Sequence, residues 1–240
     1  MTAVNVPWYA WMIRESDLLF ASWRVDPRAI RPYVPWALDL DLYDHSAWLT
    51  VEALRIDGHP AWLPRPAPPS GVEVNVRTYV RYRDEPGIYM LSMDSPQLHL
   101  VERLLWRLPF RRARGKIDLQ QNRYAVTSAR SLSSVPAEFA ATGDVSGPPA
   151  QPLPGTADEF LLNRTILFLV GGPRQRIVRR GEVPHPPRSV QRFQGSIQID
   201  SIVNALGARG SQAPPVPSTA APYVATTPCG AGATTASTRR

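Results

Sequence analysis

The chain has 240 residues, a single cysteine and a formal net charge of +7. A chain of this length buries roughly 70–75% of its unfolded surface and needs no cross-links to form a core, while the lone Cys229 excludes an intrachain disulfide and fits a reducing, cytoplasmic compartment. The positive charge is arginine scattered among acids, with only Arg111, Arg112, Arg114 and Lys116 close together, which argues against nucleic acid as a partner; no apolar run reaches the ~18 residues of a membrane span, and "MTAVNVPWYAWMIRESDLLF" lacks the basic and apolar regions of a signal peptide.

In chain order, "DPRAIRPYVP" opens with Asp26 as a helix cap and Pro27 in the first turn, and stops by Pro35. "SAWLTVEALRI" reads as a strand. "EVNVRTYVRY" alternates cleanly: Glu73, Asn75, Arg77, Tyr79 and Arg81 share one face, and Val74, Val76, Thr78, Val80 and Tyr82 share the other. The turn "DEPG" at 84–87 returns the chain as "IYMLSM", the second arm of a hairpin. "SPQLHLVERLLWRLPF" repeats the Ser–Pro helix start at Ser95 and Pro96 and ends at Pro109. "RYAVTSARS" and "RIVRRGEV" read as strands. Between them, "TADEFLLNRTILFL" has Thr156 and Glu159 at capping-box spacing, which predicts a helix carrying Phe160, Leu161, Arg164 and Phe168 on one side.

Many short strands, few short helices and 26 prolines placed as punctuation predict a mainly β (α+β) fold, either a closed barrel or a sandwich. A closed barrel of this size can hold one small ligand. The organisation predicted is a single domain over 1–209 and an Ala/Pro/Thr-rich disordered tail over 210–240.

Three blocks carry a family resemblance: "DLLFASWRVDPRAIRPYVPWALDLDLYDHSAWLTV", "EVNVRTYVRYRDEPGIYMLSMDS", and "GTADEFLLNRTILF" followed by "RGEVPHPPRSVQ". In order and spacing they resemble the YqjF-like family of uncharacterised proteins, which shares the acetoacetate decarboxylase-like fold. The resemblance implies a barrel around a central cavity with short helices outside. Acetoacetate decarboxylases form a Schiff base through one of two adjacent lysines, whose pKa is depressed by its cationic neighbour or by burial. Laid against that pattern from Asp94 onward, Phe110 stands at the nucleophile's position and Arg111 at the neighbour's. Phenylalanine forms no imine, and Lys116, the chain's one lysine, stands six residues further on, about 20 Å along an extended chain. Lys116 therefore reads as a solvated loop residue rather than a nucleophile. Two further departures are Arg188, where the family usually has tryptophan, and a chain that turns low in complexity from Gly210, which reads as a degenerated or frameshifted C-terminus.

The resemblance puts Glu73 where the decarboxylases hold a pocket carboxylate. If its face of the strand looks inward, Glu73 and Arg77 sit within reach of each other and can orient a polar ligand or move protons, with Asn75 and Tyr79 beside them. If the face looks outward, they form an ordinary surface pair. Phe110, Arg111, Arg164 and His185 complete the expected ligand-binding set; Arg103 reads as a structural salt bridge, and a structural hydrogen bond is the alternative for His185. His45, His59, His99 and His185 have no metal-ligand spacing, nucleotide and nucleophile-elbow fingerprints are missing, and neither a metal nor a cofactor is expected. Three functions remain open: a small-molecule-binding barrel without Schiff-base chemistry, an enzyme acting on a keto acid or related carboxylate through Glu73 and Arg77, and a non-catalytic assembly module. A homo-oligomer is left open and no membrane partner is expected.

Overall fold

The alternation of Glu73–Tyr82 sits in the middle of a strand, β4 (Ser70–Tyr82), that is buried on both faces. The computed structural model describes residues 11–60, 70–96, 107–131, 135–183, 185, 187–207, 221–225 and 232–234. The turn after Tyr82 returns the chain as β5 (Glu85–Ser95), and the two arms pair antiparallel from Tyr82↔Glu85 to Val74↔Asp94, with a bulge opposite Val76 and Arg77. Two long strands, β1 (Trp11–Val25) and β3 (Ala47–Pro60), extend this sheet on the other side of β4.

The remaining strands are β2 (Asp39–Leu40), β6 (Phe110–Gln120), β7 (Arg123–Arg130), β8 (Glu138–Ala150), β9 (Ile166–Gly171), β10 (Ile177–Glu182), β11 (Val190–Gln198), β12 (Ala221–Ala225) and β13 (Gly232–Thr234). All belong to one sheet, in which β4–β5–β6–β7–β8–β11–β12–β1–β3 run as hydrogen-bonded neighbours and return to β4. That circuit is the closed barrel. Its one parallel seam is short, Met93–Ser95 against Phe110–Arg112, and β12 joins β11 to β1. β9 and β10 branch from β5, and β2 from β4. The described helices are short: α1 (Pro27–Ile30), α2 (Ala157–Leu162) and α3 (Asp200–Gly207). Asp26 caps α1 through the amide of Arg28, as its position predicts.

The largest apolar cluster takes residues from β1, β3, β4, β5, β6, β7, β8, β11 and α3, among them Leu19, Val51, Val74, Val76, Ile117, Tyr124, Val126, Phe139 and Phe193. Side chains from so many members of one closed circuit meet only on its concave side, so this cluster fills the barrel. A second cluster packs Leu18, Phe20, Leu54, Tyr79, Met90, Met93 and Phe110 on the opposite face of β1–β3–β4–β5, under Leu161 and Leu162 of α2 and Leu167 of β9. The shared strands thus have a full apolar face inward and a second enclosed face outward.

Several sequence expectations are corrected. The helix predicted through Phe168 ends at Leu162, and Ile166–Gly171 is a strand held by β10 and by Ile88 of β5; the capping signal fixed where the helix starts, but sheet pairing of an apolar run decided where it stops. Lys116 is on a strand, not in a loop, opposite Thr127. Ser95 ends β5, and residues 97–106 of the helix expected to follow it, with His99 and Arg103, lie outside the described residues. Within the span read as a tail, Ala221–Ala225 pairs with both β1 and β11, so low apolar content did not keep it off the sheet.

Candidate functional site

The face of β4 that carries Glu73, Asn75, Arg77 and Tyr79 is buried, each residue being 5% exposed or less. The barrel's own interior is not what encloses it, since Val74, Val76 and the other even positions fill that space. The covering elements are α2, β9 and the approach to β11. Register lines up the site in rows. Phe20, Glu52, Asn75, Met93 and Phe110 stand side by side across β1, β3, β4, β5 and β6, and Ser22, Thr50, Arg77 and Met90 form the next row.

Four charged side chains sit at the centre. Arg77 donates from Nη1 to Glu52 Oε2 at 3.2 Å and from Nη2 to the Leu161 carbonyl at 3.0 Å. Arg188, just before β11, donates from Nη2 to Glu15 Oε2 at 3.0 Å and lies 3.9 Å from Glu52 Oε1. Both guanidiniums lie against the Phe20 ring, 5.4 and 5.1 Å from its centre, a stacking that suits a weakly hydrated planar cation. Burial, opposed by Arg188 and reinforced by the charge of Glu52, pushes the Glu15 carboxyl above its ordinary range. The Arg77 guanidinium is held more firmly charged than usual: burial works against it, but Glu52 and Tyr79 outweigh that.

A chain of hydroxyls borders this centre. Tyr79 Oη donates to the Leu161 carbonyl at 2.7 Å, and Thr50 Oγ1 links Tyr79 to Ser22 with two contacts of 2.8 Å. The carbonyl near the end of α2 is therefore gripped by both Arg77 and Tyr79, which fixes the helix over the site. Three buried polar atoms of the cluster find no hydrogen-bond partner among the described residues: Asn75 Oδ1, Arg77 Nε and Arg188 Nε.

Residues 13–228 match the family of uncharacterized conserved proteins designated DUF2071. The chain belongs to the DUF2071 family. Over 210 residues it is 29% identical to the uncharacterized protein YqjF of Bacillus subtilis (strain 168), covering 85% of each chain. Among solved structures it resembles the enduracididine biosynthesis enzyme MppR complexed with pyruvate (TM-score 0.62, 13% identity, 93% of this chain and 88% of that one). It also resembles an acetoacetate decarboxylase-like enzyme from Sphingomonas wittichii RW1 (TM-score 0.57, 15% identity, 99% and 97%) and the acetoacetate decarboxylase of Legionella pneumophila (TM-score 0.57, 15% identity, 98% and 93%). These likenesses show that this DUF2071 chain has the acetoacetate decarboxylase-like barrel.

The sequence-predicted residues of this DUF2071 chain divide. Glu73, Asn75, Arg77, Tyr79 and Phe110 share the enclosed face. Arg111 does not: alternation along β6 turns it into the barrel, beside Asp94. Arg164 lies one ring away, over Phe160 at 4.5 Å and bonded to Asp41 at 2.6 Å, while Phe160 itself stacks on Tyr79 at 4.8 Å. His185 is half-buried on the approach to Val190, and Glu182, three residues before it, is engaged by Arg180. Lys116 is exposed, on the face of β6 that also carries Arg112 and Arg114.

Sequence reasoning missed Glu15, Glu52 and Arg188 as site residues. Glu52 had a signal, a lone carboxylate inside "AWLTVEAL", an otherwise apolar strand. Arg188 had one as well, as a charge where the family usually places tryptophan. Glu15 had none, because the bulge in β1 between Ser16 and Leu19 resets which side chains face the site. Also unforeseen is an ion pair inside the barrel, where Arg130 Nε reaches both oxygens of Asp94 at 2.9 Å. Among the described residues no group of three or more His, Cys, Asp or Glu could hold a metal ion, and no helix is long and apolar enough to cross a membrane.

Proposed function

We propose that this protein is a small-molecule-binding barrel that seats a keto or carboxylate compound between Arg77, Arg188 and Asn75, without Schiff-base chemistry. The observation that carries this is the set of three buried, partnerless atoms, two guanidinium N–H donors and one amide oxygen. More than 90% of buried polar groups are hydrogen-bonded, and a ligand with two acceptor oxygens, as a keto acid has, meets the two guanidinium donors. Phe20, Leu54, Met93 and Phe110 supply the apolar walls, the combination of few convergent polar groups and apolar lining that small-molecule sites share. MppR with pyruvate, on a similar fold, supports the ligand class. Imine chemistry is not part of the proposal: Phe110 has no amine, and Lys116 is exposed six residues along an extended strand, about 20 Å away.

The test is thermal unfolding and ligand-detected NMR with pyruvate and acetoacetate. Both compounds should raise the melting temperature of the native chain and lose that effect in Arg188→Trp, and borohydride with acetoacetate should leave no adduct on Lys116. If neither compound shifts the transition, and native mass spectrometry finds no co-purified small molecule, the reading falls. Catalysis on the same ligand class is a second reading, favoured by Glu73 and Arg77 standing on one buried face beside a carboxyl, Glu15, whose proton affinity is raised. In that reading Glu73 is the acid–base and Arg77 orients the anion. Turnover of either compound that disappears in Glu73→Gln, with binding retained, would favour it; binding without turnover would remove it.

A further inference from the structure

A separate cavity of about 320 Å³ opens where the 32–36 segment, β5, the approach to β6 and the end of β9 meet; its walls include Tyr33, Trp36, Tyr89, Arg107, Phe168 and Gln175. Nothing above depends on it. Trp36 is 64% exposed, yet its indole N–H donates to the Arg174 carbonyl at 3.0 Å, so a large aromatic face is held in place at the surface. Exposed tryptophans are uncommon, and one tethered by its polar edge has its apolar face left for another partner.

The backbone around this rim is strained. Arg107, Arg174 and Gln175 adopt left-handed conformations with φ of 54°, 52° and 53°, and none of them is glycine. Such strain concentrates where side chains must be aimed for binding. Gly171 is needed in the same place: a Cβ there would come 3.2 Å from Cδ of Arg107, so the glycine gives the arginine stem room to lie across the end of β9. Among the described residues, Arg107 is the only charged one lining the cavity and it makes no ion pair. One guanidinium, no acid among the described lining residues, aromatic walls and an amide side chain complement a single anionic group attached to a flat ring.

We propose that this cavity binds a planar aromatic carboxylate, its ring against Trp36 and the neighbouring aromatic walls and its carboxylate on Arg107, with Gln175 as a second polar contact. A guanidinium–carboxylate contact is charge-assisted and planar, so it selects the acid over the matching alcohol.

The experiment is calorimetric titration of the full chain with 2-naphthoate, with 2-naphthylmethanol and cyclohexanecarboxylate as controls. The native chain should bind 2-naphthoate and bind each control about tenfold more weakly or worse, the alcohol for want of the charge-assisted contact and cyclohexanecarboxylate for want of a flat ring to stack. Arg107→Gln and Trp36→Ala should each weaken 2-naphthoate by about tenfold, and Arg107→Gln should leave the alcohol's affinity unchanged. Both side chains are exposed, so equal melting temperatures will show that the variants fold. Arg188→Trp, which alters the buried site, should leave 2-naphthoate binding intact, which keeps this test apart from the previous one. The proposal is overturned if 2-naphthoate does not bind, if it binds both cavity variants as well as the native chain, or if Arg188→Trp abolishes binding while Arg107→Gln does not.

Discussion

The two faces of β1–β3–β4–β5 are made by the same four strands and solve opposite problems. Toward the barrel, Leu19, Val51, Val74 and Val76 meet other aliphatic and aromatic groups. Toward α2, the same strands bury Glu15, Glu52, Arg77 and Arg188 among Phe20, Met93 and Phe110. The first face gains its free energy mainly from apolar area, with one ion pair, Asp94–Arg130, at its edge. The second charges its own stability for desolvating four ions, recovers part through pairing, and leaves three polar atoms unmet. A fold does not build such a face for stability, which is why the binding reading rests on it.

That contrast can be broken most strongly from the barrel side. Val76→Asp puts a further carboxylate among aliphatic groups and opposite Ser92, where the one nearby guanidinium, Arg130, is already taken by Asp94, and should abolish the cooperative urea transition altogether. On the other face the expected effect is smaller and more informative. Glu52→Gln leaves two buried guanidiniums without their shared carboxylate and should lower stability by about 3–5 kcal/mol. Adding Arg77→Met to Glu52→Leu should recover part of the loss of Glu52→Leu alone; strict additivity of the two single changes in urea unfolding would mean that the pair is not coupled.

The pH dependence sharpens the comparison further. Glu15 has its folded pKa raised, chiefly by burial. Between the ordinary carboxylate value and the raised one, the folded chain holds a proton that the unfolded chain has released, so stability falls as pH rises through that window and recovers as pH falls. Asp94, raised by burial against the opposing pull of Arg130, acts in the same direction from inside the barrel. Glu15→Gln should flatten the slope of unfolding free energy against pH only in part, leaving the Asp94 contribution; an unchanged slope would show that Glu15 is ordinary in the folded chain. The smallest effect is at Lys116, exposed on β6: Lys116→Ala should change stability by less than about 0.5 kcal/mol and leave binding of pyruvate and acetoacetate as it was.

Much of the candidate site was legible because β4 announces itself. A strict period of two with Glu73, Asn75, Arg77 and Tyr79 in phase places those side chains together whatever surrounds them. The same periodicity separated Phe110 from Arg111, adjacent in sequence and on opposite faces of β6, although the resemblance had grouped them. Arg188 could be flagged as unusual but not placed, because it approaches from a proline-flanked connection without periodicity. Glu15 was hidden by a bulge, and Asp94–Arg130 joins strands that are not neighbours in sequence or sheet.

Local pattern determined by itself that this protein is made of strands with a few capped turns of helix, and which residues of each strand share a face. Closure of the barrel through β12, the side of the sheet on which the polar face is enclosed, and the ions that gather there were decided only in three dimensions. The physical reason is that alternation fixes which side chains share a face but carries no information about which face the rest of the chain will cover; that depends on pairings between distant strands, and on bulges that shift them by one residue.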